Sequence, residues 1–163
     1  MTQDVKQIEM DRMRYTKNKL SANLVLLAIV FDALYFVSLY KSDVGSYYYN
    51  ILNGASIIYN LVFMLAAFLC SEGVKSRKGN YWPMLSALGI GQVIRMFIIP
   101  AQAHQATATM NRVEMQVMGD GQYWWMIACL AISAACLIGA AVTSYIQNKQ
   151  LNDYMKTIAQ PVK

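Results

Sequence analysis

Residues 20–40 read LSANLVLLAIVFDALYFVSLY, a run that contains a single ionisable acid or base, Asp32. At a rise of 1.5 Å per residue, about 20 residues in a helix cross the roughly 30 Å hydrocarbon core of a bilayer. Three further stretches have the same character, residues 51–71, 82–100 and 123–146, and among them only Arg95 is charged. The chain therefore predicts an all-α, polytopic membrane protein, with four transmembrane helices in an antiparallel bundle over residues 20–146.

Composition agrees with this. Of 163 residues, 56% are hydrophobic and only 14% are charged, against about 25% charged in an ordinary soluble domain. Four spans use up most of the chain and leave no room for a separate soluble domain. The first span is too long for a cleaved signal segment, and its leader carries Asp4, Glu9 and Asp11 among its basic residues, so it reads as an uncleaved helix.

Lys and Arg set the expected orientation. Lys6, Arg12, Arg14, Lys17 and Lys19 precede the first span, Lys75, Arg77 and Lys78 lie between the second and third, and Lys149, Lys156 and Lys163 follow the fourth; the other two loops hold only Lys41 and Arg112. The positive-inside rule puts both termini in the cytoplasm. The net charge of +5 then reflects attraction to anionic lipid rather than to nucleic acid. Small size and missing N-x-S/T sites suggest a bacterial inner membrane.

Residues 1–44 contain neither Gly nor Pro. The sequence accordingly predicts a cytoplasmic helical extension over 1–19 that enters the first span without a break. A second extension is expected over 147–163, where the fourth helix continues to about Thr157. The outer segment 101–122 is the one long loop, and Met110, Val113 and Val117 recur at helical spacing, which predicts a short helix that extends the third span or lies on the outer surface. Tyr47, Tyr48 and Tyr49, and Tyr123 with Trp124 and Trp125, fit the outer aromatic belt; Tyr81 and Trp82 fit the inner one, with Pro83 in the first turn of the third helix.

Asp32 and Arg95 are the candidate site. An ionised group at the bilayer centre costs from about 2.5 to above 10 kcal/mol. Counted from the inner boundary, both lie about 18–20 Å deep, so the first and third spans can pair them. Gln92 stands three residues before Arg95. Ala87, Gly91 and Arg95 repeat every four residues, and small residues let helices approach closely. Ala28, Asp32 and Tyr35 form a matching stripe on the first helix, and Asn53, Ser56 and Asn60 follow i, i+3, i+7 spacing on the second. These groups predict an intramembrane polar network of Asp32, Arg95, Gln92, Asn60, Ser56, Asn53 and Tyr35. Ala131, Ala135, Gly139 and Thr143 mark a small-residue face on the fourth helix, for packing within the bundle or between subunits. The bland explanation of the charge pair is mutual neutralisation that fixes helix register.

Cys70, Cys129 and Cys136 lack C-x-x-C spacing and read as apolar packing groups. His104, Met110, Met115 and Met118 fit no metal motif, and no P-loop, dinucleotide or H-E-x-x-H pattern occurs. No metal, cofactor or catalytic residue is assigned. Four spans with an acid in the first resemble the small multidrug transporters. Members of that family are shorter, with the acid nearer the start of its helix; Arg95 and the two extensions depart from their pattern, so no family role is carried to any residue.

The expectation is a small non-enzymatic integral membrane protein, an accessory or assembly subunit of a larger membrane transport complex. Its partners would be the lipid bilayer and another integral membrane protein. The alternative is a homo-oligomeric ion- or proton-coupled transporter or channel that uses Asp32 and Arg95.

Overall fold

A computed structural model describes residues 17–41, 51–76, 81–105, 107–110, 113–116 and 118–159. Four helices occur among them: α1 (Lys19–Lys41), α2 (Ile51–Lys75), α3 (Tyr81–Gln105) and α4 (Asp120–Ala159). Each is long and apolar enough to span a membrane. Two short strands, β1 (Thr107–Met110) and β2 (Val113–Gln116), pair antiparallel between α3 and α4, with Met110 opposite Val113.

The molecule has an apolar surface and buries polar side chains within its core. Leu61, Val62, Leu65, Phe97 and Trp124 are all more than half exposed, whereas Ser21, Asp32, Asn60, Gln92, Arg95 and Ser133 are buried. In water such a surface would drive aggregation. In a bilayer, lipid covers it, and polar groups are retained where protein surrounds them. These are the features of a small multi-pass membrane protein.

Contacts between helix ends fix the arrangement. At one end Asn18 N–H donates to Lys75 O at 3.2 Å, joining the start of α1 to the end of α2. Ser71 Oγ donates to Ala22 O, and Ser21 Oγ donates to Ala140 O. Trp82 meets Tyr145 edge to face, at 5.1 Å between ring centres. At the other end Gln122 Nε2 donates to Ser38 O, and His104 Nε2 lies 2.9 Å from Asp120 Oδ1. α1 and α3 both pack along α4. α3 does so closely at Gly89, where an added Cβ would stand 2.8 Å from Ile138 Cγ1.

The core has two apolar layers. One holds Val25 and Ala28 of α1, Phe63, Ala67, Cys70 and Val74 of α2, Leu85 of α3, and Leu137, Ala140 and Ala141 of α4. The other holds Tyr35, Leu39, Ala103, Met118, Met126, Cys129 and Leu130. No described side chain of α2 belongs to the second layer. All three cysteines are free thiols.

Three expectations change. First, α1 does not run in unbroken from the leader. Lys17 and Asn18 are not helical, and Asn18 Oδ1 accepts from Ser21 N–H at 3.0 Å, a side-chain cap at the start of α1. Residues 1–16, and the Tyr47–Tyr49 triplet, lie outside the described residues. Second, the helix expected in 101–122 is present only as the extension of α3 past Pro100 to Gln105, and residues 107–110 and 113–116 form a strand pair instead. The 3.6-residue pattern of Met110, Val113 and Val117 loses to hairpin pairing. Third, of the two alternatives for the small residues of α4, packing within the bundle applies to Gly139 and Thr143, which meet Leu24 and Ser21 of α1, but not to Ala131 and Ala135. Ala131 and Ala135 are exposed, Gly139 and Thr143 are half-buried, and the buried line runs through Met126, Leu130, Ser133, Leu137, Ala140 and Ser144. The continuation of α4 beyond Ile146 is present, and the helix runs to Ala159. Its 40 residues make a rod of about 60 Å, against about 35 Å for α1.

Candidate functional site

Asp32, Gln92 and Arg95 meet in a polar layer between the two apolar ones. α1 brings Asp32 one turn beyond Ala28, and α3 brings Gln92 and Arg95 to the same level, three residues apart on one face. Arg95 Nη1 donates to Asp32 Oδ1 at 3.1 Å, and Gln92 Nε2 donates to the same oxygen at 2.6 Å. The ion pair is sealed, with 3% of the Arg95 side chain and none of the Asp32 side chain exposed. The depth match made from residue counting is thus realised as direct contact.

α4 closes the layer through Ser133. Gln92 Nε2 also lies 3.3 Å from Ser133 Oγ, which donates to Ala28 O at 3.1 Å. This one hydroxyl ties α1, α3 and α4 together. Sequence reasoning missed it, although Ser133 is the sole hydroxyl between Trp125 and Thr143 and stands out by the logic that singles out Asp32. Tyr59 was missed as well. The Arg95 guanidinium lies 4.5 Å from the centre of the Tyr35 ring and 5.3 Å from that of Tyr59. Aromatic faces stabilise a desolvated cation by about 2 kcal/mol, so Arg95 is held by a carboxylate and by two rings from different helices.

α2 reaches the layer with Asn60, which is fully buried. From the Ser71–Ala22 contact, Asn60 is about 16 Å along α2 and Asp32 about 15 Å along α1, so they share a level. Ser56 is half-buried, about one turn further out. The Asn53 side chain lies outside the described residues. Ala87 faces outward; Gly91 is half-buried, its Cβ position 3.8 Å from the Tyr59 hydroxyl. The close helix approach expected at Gly91 is made by Gly89 instead, because Gly89 lies with Leu85 and Gln92 on the face toward α4.

Seven buried polar atoms of these residues have no hydrogen-bond partner among the described residues: Asp32 Oδ2, Ser56 Oγ, Asn60 Oδ1 and Nδ2, Gln92 Oε1, and Arg95 Nε and Nη2. Each such group costs about 1–3 kcal/mol. Together that is on the order of 10 kcal/mol, as large as the stability of a whole domain. Among the described residues no group of three His, Cys, Asp or Glu side chains could hold a metal ion.

Comparison with protein families, curated proteins and solved structures finds no match to this chain.

Proposed function

We propose that this protein is a non-enzymatic accessory or assembly subunit of a larger membrane transport complex. In this reading the helices form an antiparallel bundle in the cell inner membrane, with both ends in the cytoplasm. The observation that carries it is the closed ion pair. Asp32 and Arg95 are buried against each other and tied through Gln92 and Ser133 to α4. A carboxylate that binds and releases a transported ion needs access to water; one locked to an arginine fixes helix register. With the centre spent on architecture, what remains for function is the outside. The part of α4 beyond Ile146 extends about 20 Å past the level where Trp82 meets Tyr145. Lys17, Lys19, Lys75 and Lys149 belong to the same end of the bundle, which supports a cytoplasmic location for it by the positive-inside rule.

The test is an affinity pull-down of the tagged full chain from its native membranes in mild detergent, with mass spectrometry of what accompanies it. A stoichiometric integral membrane partner is the expected result. A lone monomer would refute the accessory role.

A second reading, a homo-oligomeric ion- or proton-coupled transporter, is favoured by the seven unpartnered polar atoms beside Asp32. Recovery of self-copies alone would favour it. Asp32→Asn should then abolish transport while leaving assembly intact.

A further inference from the structure

α2 poses a specific question. Its described side chains join only one of the two apolar core layers, and around Ser56–Asn60 they stand at the level of the polar layer. There it supplies Asn60, Ser56 and the Tyr59 ring. Yet neither polar group makes a side-chain hydrogen bond to a described residue, and Asp32, Gln92 and Arg95 keep four unused polar atoms at the same level. The orphaned groups of α2 complement those of α1 and α3. Asp32 Oδ2, Gln92 Oε1 and Asn60 Oδ1 accept, Arg95 Nε and Nη2 and Asn60 Nδ2 donate, and Ser56 Oγ can do both.

We infer that this layer is a buried water site, in which ordered waters bridge Asn60 and Ser56 of α2 to Asp32, Gln92 and Arg95. A buried water makes roughly three hydrogen bonds, so about two or three waters satisfy the seven atoms. The chemistry of the set selects this ligand class. Asp32 and Arg95 cancel in charge, so neither a bare cation nor an anion gains a net counter-charge. Donors and acceptors are mixed, which suits a small neutral molecule that does both. Tyr59 screens the layer on the α2–α3 side, with its ring beside Arg95 and its hydroxyl beside Gly91. The waters therefore act as the hydrogen-bonded link that seats α2 at this level. The inference needs only the four-helix body and stands whether or not a partner subunit is found.

Water-edited solid-state NMR on the ¹⁵N-labelled full chain in lipid bilayers tests it directly. Magnetisation from water should reach the side-chain amides of Asn60 and Gln92 sooner than the backbone amides of Leu85 and Leu137 in the neighbouring apolar layer. Transfer no faster than to those two would overturn the inference. Asn60→Leu gives an independent check by melting temperature in the same lipid. A dry layer would gain from losing two unpartnered atoms, and Tm would rise. A hydrated layer loses its bridge, so Tm stays level or falls, and a rise would overturn the inference.

Discussion

Breaking the central ion pair one residue at a time should be far more damaging than removing it whole. Asp32→Asn keeps an oxygen that accepts from Gln92 and Arg95 but removes the charge. Arg95→Met keeps an unbranched side chain to lie against the Tyr35 and Tyr59 rings but leaves the carboxylate alone with Gln92. With both groups almost wholly buried, either single change strands a charge, at about 3–5 kcal/mol. For a chain of this length, 1 kcal/mol moves Tm by about 2–4 °C, so each single variant should melt roughly 6–20 °C lower. The double variant strands nothing, and neutral replacement of a buried pair is often free or stabilising. It should melt within a few degrees of the wild type, giving a coupling energy of about 6–10 kcal/mol, beyond the range of about 0.5–3 kcal/mol usual for interacting neighbours. The assay is thermal unfolding of all four proteins in one lipid or detergent, followed by loss of the monodisperse peak on size exclusion. A double variant that loses the sum of the two single losses would refute the reasoning, since the charges would then not be stabilising each other.

Two further outcomes follow from the packing. Asn18→Ala removes the side-chain cap from Ser21 N–H and should cost about 0.5–2 kcal/mol, seen as a lower Tm and faster hydrogen exchange in the first turn of α1. Gly89→Val places a branched side chain where even a Cβ meets Ile138 Cγ1 at 2.8 Å. It should cost about 1–3 kcal/mol by overpacking α3 against α4, measured by thermal unfolding, whereas Ala87→Val on the exposed side of the same helix should change little.

The sequence by itself was enough for the four long apolar helices, because the bilayer imposes one rule on every span: about 20 residues, backbone bonded within the segment, almost no charge. It was also enough for the meeting of Asp32, Gln92 and Arg95, since rise per residue converts position into depth and an isolated ionised group demands a partner. Tertiary structure decided what depth cannot encode. Ala131 and Ala135 have the right spacing for a contact face, yet α4 turns Ser133, Leu137 and Ala140 inward, because the rotation of a helix is set by which neighbours it must fill. Gly89 rather than Gly91 takes the close approach for the same reason. Asn18 ends the expected run-in of α1 because a local side-chain cap, held against Lys75 O, competes with helix propensity. The β1–β2 pair prevails over a helical pattern because the backbone groups of each strand find partners on the other. Ser133 and Tyr59 enter the polar layer because α4 and α2 bring them beside an amide and a guanidinium, respectively, that belong to α3.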